Sequence, residues 1–132
     1  MRILLDTNAY SALMRGHRDV ADRVRRAEQV LLSTVVAGEL LFGFRLGTRL
    51  KKNMTELEAF LDNPYVNLVP VTLTTADRFA RIAVALRLKG KPIPTNDIWI
   101  AAHAMETGAE LVSSDEHFGA IDGLAWVIPG PA

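Results

Sequence analysis

Ile3-Leu4-Leu5-Asp6-Thr7-Asn8 opens the chain with an apolar run that stops on a carboxylate. An unbroken apolar run of this length suits a strand buried on both faces, and such strands belong to parallel sheets covered by helices. Outward from this stretch the pattern repeats, with short apolar runs predicting strands over residues 2–5, 30–33, 66–69, 110–112 and 125–128. Helical periodicity fills the intervals at 9–15, 20–27, 35–46, 48–61, 75–89 and 97–107. Strands alternating with helices make an α/β domain around a parallel sheet of about five strands. Thr74 with Asp77 reads as a variant capping box, and Asn96 as the N-cap of the last long helix. Gly47, Gly90 and Gly108 fall where helices should end. No linker, repeat or low-complexity tract divides residues 1–132, which read as a single domain.

Four acids occupy positions where a charge is expensive. Asp6 ends the first strand, Asp115 closes Leu111-Val112-Ser113-Ser114, Glu39 shares helical spacing with Val35, Val36, Leu40 and Phe42, and Asp97 opens a helix carrying Ile100, Ala101 and Ala104. Charged acids are rarely buried unless paired or bound to metal. Ligands of open α/β sheets bind beyond the carboxyl ends of the strands, and right-handed crossovers can bring these four acids to that edge. Like charges about 4 Å apart repel by about 4 kcal/mol at an effective dielectric of 20, so the cluster calls for a cation. An all-oxygen donor set favours Mg²⁺ or Mn²⁺, leaves Ca²⁺ open and disfavours zinc, and its natural chemistry is phosphodiester hydrolysis. Taken singly, each acid also reads as a cap or an ion-pair partner.

Composition fits this picture without selecting it. Apolar residues make up 49% and charged residues 23% of 132 residues, as in an ordinary globular chain. With no cysteine, disulfides, thiolate zinc sites and thiol catalysis are excluded. No apolar run is long enough to span a membrane, and the expected setting is cytoplasmic. Fifteen basic residues balance fifteen acids, but the basic ones cluster. Arg15, His17, Arg18, Arg23, Arg25 and Arg26 form one group, Arg45, Arg49, Lys51 and Lys52 a second, and Arg78, Arg81, Arg87, Lys89 and Lys91 a third. Each group alone reads as a solvated helix face; around an acidic centre, they suit a phosphate polymer.

The strings Leu4-Leu5-Asp6-Thr7-Asn8, Ser33 to Glu39-Leu40, Asn96-Asp97-Ile98-Trp99-Ile100-Ala101-Ala102-His103-Ala104 and Leu111-Val112-Ser113-Ser114-Asp115-Glu116-His117-Phe118 together resemble the PIN-domain family. The short length, the Pro92-Ile93-Pro94 lead-in and the Asp115-Glu116-His117-Phe118 string are similar to its VapC-type toxins. The resemblance implies a three-layer α/β/α sandwich and a Mg²⁺- or Mn²⁺-dependent endoribonuclease of a toxin–antitoxin pair. By position, Asp6, Glu39, Asp97 and Asp115 match the family's acidic quartet. Ser113 stands where many members have Thr, and Thr7, Asn8, Ser33 and Asn96 are supporting donors. The family further implies an RNA substrate, a homodimer and a cognate antitoxin.

A general DNA nuclease with the same metal site stays open; other readings are weaker. A phosphatase using an aspartyl nucleophile needs a second Asp two positions after the first, where this chain has Asn8; a phosphoacceptor receiver needs an acidic neighbour for Asp6. A catalytically silent RNA- or partner-binding domain would not need all four acids. His103 reads as a packed helix residue, His117 as a surface-turn histidine, and neither as a metal ligand. Trp99 reads as core. The apolar groups Leu40-Leu41-Phe42-Phe44 and Met54-Leu57-Phe60-Leu61 exceed one buried helix face, and part of them is expected at a dimer or antitoxin interface.

Overall fold

The computed structural model describes residues 1–131. Strands β1 (Arg2–Leu5), β2 (Gln29–Ser33), β3 (Val66–Val69), β4 (Glu110–Val112) and β5 (Trp126–Val127) form one parallel sheet in the order β3-β2-β1-β4-β5. Between them lie α1 (Thr7–Met14), α2 (Arg18–Arg26), α3 (Thr34–Leu46), α4 (Leu50–Leu61), α5 (Leu73–Lys89) and α6 (Thr95–Thr107), and a 3₁₀ turn at Glu116–Ala120 follows β4. Ile3, Leu4, Leu5, Val30, Leu31, Leu32, Leu111 and Val112 are all buried, because the three central strands are covered on both faces. Each such aliphatic side chain contributes about 1.5–3 kcal/mol on leaving water.

Chain direction sets the layers. The steps β1 to β2 and β2 to β3 run one way across the sheet, so right-handed crossovers put α1 to α4 on one face. The step from β3 to β4 runs back past β2 and β1, which puts α5 and α6 on the other face. Strand order therefore reverses at β1 and β4, and the crevice beyond their carboxyl ends is the topological switch point. Asp6 and Asp115 lie there.

Several helix starts differ from the sequence reading. Helix α1 begins at Thr7 because Asp6 itself is the N-cap, accepting from Ala9 N at 2.8 Å, so Thr7 and Asn8 lie inside the helix. Helix α5 begins at Leu73. Its turn is closed by Thr72 and Thr75, with Thr72 N donating to Thr75 Oγ1 at 3.1 Å, whereas Asp77 pairs with Arg81 at 3.0 Å. Helix α6 begins at Thr95 behind Pro94, whose fixed φ of −55° suits the cap position, and this frees the Asn96 amide for another partner. Gly47, Gly90 and Gly108 all end their helices as expected; Gly90 and Gly108 do so at φ of +67° and +71°, the left-handed region a side chain disfavours, and Gly47 at −89°.

Of the two apolar groups, Leu40, Leu57 and Phe60 are buried, the last edge-on to Tyr10 with ring centroids 5.3 Å apart. Phe42 and Leu46 stay exposed on α3. Helix α5 also exposes Leu73, Val84 and Leu88, which the sequence reading did not single out. Trp99 is half-buried and stacks on Phe79 with centroids 4.0 Å apart, which leaves it at the edge of the core. Among the described residues no helix is long and apolar enough to cross a membrane.

Candidate active site

Sheet register builds the first half of the site. Leu5 pairs with Val112, so the next residues, Asp6 and Ser113, meet beyond the strand ends. The Ser113 hydroxyl donates to Asp6 Oδ2 in a very short contact, and Ser113 Oγ accepts from Asp115 N at 3.0 Å. Both Asp6 and Ser113 are buried. Burial pushes the Asp6 carboxyl above its ordinary range; the hydrogen bonds from Ser113 and Ala9 N oppose this, and the charges of Asp97 and Asp115 add to it. A buried carboxylate kept company by two others is the electrostatic signature of a site built for a cation.

The second half comes from helices. Asp97 lies in the first turn of α6, only 16% exposed, where the helix dipole favours an acid. Burial nevertheless pushes its carboxyl up; a hydrogen bond from His117 opposes the shift, and the charges of Asp115 and Glu39 reinforce it. Glu39, a turn and a half into α3, accepts from Thr7 Oγ1 at 2.6 Å and from Asn96 Nδ2 at 3.4 Å. Thr7 follows Asp6 and Asn96 precedes Asp97, so these two donors tie Glu39 to both neighbouring acids. Asn8, by contrast, is exposed and makes no recorded bond to the quartet.

Asp115 caps the 3₁₀ turn by accepting from His117 N at 2.9 Å. This turn brings His117 Nδ1 to 3.1 Å from Asp115 and 3.4 Å from Asp97. Ligand atoms of Asp97, Asp115 and His117 all lie within 4.8 Å of one another, an arrangement able to hold a metal ion. Sequence reading set His117 aside as a surface-turn residue. The ring is indeed 52% exposed, but it stands inside the acidic cluster. Its spacing, two residues after Asp115, was the available signal.

Ser33 plays a different part from its neighbours. Its hydroxyl oxygen caps α3, accepting from Val35 N at 3.0 Å, and it also lies 2.8 Å from His103 Nδ1. His103 is fully buried on α6 and reaches the Pro70 carbonyl through Nε2 at 3.1 Å. A carbonyl only accepts, so Nε2 carries the proton and Nδ1 accepts from Ser33. Burial pushes this imidazole below its ordinary range, in keeping with a neutral ring. His103 thus joins the start of the helix bearing Glu39 to the helix bearing Asp97, a link that sequence reading missed.

Asp97, Asp115 and His117 are the group whose ligand atoms converge, and Asp6 and Glu39 lie near enough to couple electrostatically with them, a mainly carboxylate cluster whose chemistry fits a divalent metal ion. Known proteins share this fold. Ribonuclease VapC1 of Haemophilus influenzae is 27% identical over 131 residues, covering 96% of each chain. The structure of VapBC-1 from nontypeable Haemophilus influenzae superimposes with a TM-score of 0.86 at 26% identity, over 97% of this chain and 98% of that one. VapBC-5 of Mycobacterium tuberculosis, a member of the VapBC family of toxin–antitoxin systems, gives 0.75 at 25% identity over 98% of both. The PIN domain model matches residues 3–124, and with that match the chain belongs to the PIN-domain family.

Proposed function

We propose that this chain is a metal-dependent endoribonuclease that hydrolyses RNA phosphodiester bonds, acting as the toxin of a VapBC-type pair. The observation that carries this reading is the convergence of Asp6, Glu39, Asp97 and Asp115 at the switch point. Relatives named as ribonucleases support the substrate, and likeness to VapBC assemblies supports an antitoxin partner. A catalytically silent binding role has nothing in its favour, since all four acids are present and brought together.

Asp6, Asp97, Asp115 and Glu39 would hold Mg²⁺, or Mn²⁺ in its place. A divalent cation there would offset the negative charge of carboxylates and substrate phosphate and activate water for attack on phosphorus. The remaining work falls to the protein. Ser113 fixes the Asp6 carboxylate through Oδ2 while Ala9 N holds Oδ1. Thr7 and Asn96 hold the two oxygens of Glu39, and His117 orients Asp97 and Asp115. Such donors spare the acids from reorganising when charge develops. RNA as substrate implies a cytoplasmic protein. Exposed Phe42 and Leu46 on α3 and Val84 and Leu88 on α5 supply apolar surface for a homodimer and for the antitoxin.

The test is cleavage of end-labelled single-stranded RNA in Mg²⁺ or Mn²⁺, with product ends analysed. Hydrolysis predicts fragments without a 2′,3′-cyclic phosphate and none at all in EDTA. Cyclic ends, or cleavage that survives EDTA, would contradict the reading.

A further inference from the structure

A cleft of about 330 Å³ opens beside the acidic centre. Asn8, two residues past Asp6, and Ser114, the residue before Asp115, line it. Arg15 and His17 line it as well, and a second hollow of about 610 Å³ shares these two residues and reaches Arg18. No acid lines either hollow, although the centre they lead away from is acidic. Two cations of the first basic group are spoken for, with Arg23 paired to Asp19 and Arg25 to Asp22. Arg15 and Arg18 are exposed, and among the described residues neither has a carboxylate within ion-pair distance.

The backbone holds this cationic wall in place. Gly16, at φ of +81°, turns the chain between α1 and α2, and His17 N donates back to Ala12 O at 2.9 Å. His17 then caps α2, accepting from Val20 N through Nδ1 at 3.3 Å. Pro129 and Pro131 also line the cleft, and Gly130 N, donating to Asp19 at 2.8 Å, pins that segment down. This bond also occupies Asp19, the acid nearest to Arg18 in sequence.

A phosphate drawn to four carboxylates needs its neighbours held by positive charge, because the centre itself repels the rest of the strand. At about 330 Å³ the cleft is far smaller than a duplex segment and suits part of a single strand. We infer that it holds the backbone phosphates of single-stranded RNA flanking the scissile bond, with Arg15 and Arg18 as contacts, an inference that rests on the ribonuclease reading. These contacts carry no base information, so they act alike on every sequence.

The test measures affinity for two single-stranded RNAs of unrelated sequence by fluorescence anisotropy, against salt, in an Asp97→Asn background with Mg²⁺. Arg15→Ala/Arg18→Ala is compared with Arg25→Ala/Arg26→Ala, which removes the same charge at the far end of α2. Each single-strand phosphate contact contributes about 0.7 to the slope of log affinity on log salt, so the first variant should lose about 1.4 on both RNAs. The control should keep its slope, and Arg15→Lys/Arg18→Lys should restore most of it. In active enzyme, the same loss should fall on KM with kcat little changed. A first variant that binds as the control does, or that loses only affinity for a purified protein partner, overturns the assignment. Wild-type protein that neither cleaves nor binds RNA removes the ribonuclease reading and the cleft assignment together. Wild type that cleaves beside an unaffected variant removes only the cleft assignment.

Discussion

Replacing His103 by Ala should be among the costliest single changes in this chain. The ring is fully buried and bonded at both nitrogens, to Ser33 at 2.8 Å and to Pro70 at 3.1 Å. Removing it leaves the buried Ser33 hydroxyl without an acceptor, a loss of about 1–3 kcal/mol. Truncating a comparable buried side chain costs about 2–5 kcal/mol through transfer and cavity, and since the two overlap we expect about 3–5 kcal/mol in all. With a melting entropy of about 2.1 cal/mol/K per residue over 132 residues, that lowers Tm by roughly 10–18 °C. His103→Phe keeps most of the volume and should lose only the hydrogen-bonding share, about 1–3 kcal/mol. The difference between wild type and His103→Phe should also depend on pH. Burial lowers the imidazole pKa, so the folded protein favours the neutral ring while the unfolded chain takes up a proton below about 6.5. Stability from this residue is therefore complete above that value and lost as pH falls, by at most about 1.4 kcal/mol at pH 5.5. Urea denaturation of the three proteins at pH 7.5 and 5.5 measures all of this. A His103→Ala loss below about 1 kcal/mol, or a difference that grows towards acid pH, would refute the account of this link.

Four further outcomes follow from the site. Saturating Mg²⁺ at 100 times its Kd should stabilise the protein by about 2.7 kcal/mol, roughly 10 °C in a thermal melt. In EDTA, Asp97→Asn should melt at or above the wild-type temperature, because Asp97 is raised by burial and by Asp115 and Glu39, and in Mg²⁺ it should show little of that upshift. Ser113→Ala should cost about 1–3 kcal/mol in urea and most of the activity, since Asp6 loses its hydroxyl donor, while Ser113→Thr should retain both. Thr7→Val should lower kcat with a stability change near 1 kcal/mol, because it releases one oxygen of Glu39 without opening a cavity.

Strands and acids were legible because burial on both faces demands apolar runs, and an acid ending such a run has few structural reasons to be there. Asp6, Glu39, Asp97 and Asp115 each stand out locally, but only the four together, in the order the family resemblance gives, pointed to one site. Contacts across the fold were not legible. His103 and Ser33 lie 70 residues apart, and only tertiary packing shows that a helix-interior histidine meets a helix cap. His117 looked like a surface residue because its spacing from Asp115 hints at nearness to that acid but not that the turn swings its ring towards Asp97. Helix starts were misread where a residue has two uses: Asp6 is both site and cap, and Pro94 takes the cap position expected for Asn96. The Met54-Leu57-Phe60-Leu61 group looked like surplus apolar surface, yet Phe60 packs on Tyr10 from another helix.

The central claim is that four carboxylates from four separate elements form a single metal-dependent ribonuclease centre. Its most direct test is cleavage of total cellular RNA in Mn²⁺ by the purified full chain beside Asp6→Asn, Glu39→Gln, Asp97→Asn and Asp115→Asn, each checked for folding by circular dichroism. The account predicts discrete fragments from wild type alone and none from any folded variant. A folded variant that cuts at the wild-type rate, or wild type that leaves RNA intact in Mn²⁺ and Mg²⁺, would contradict it.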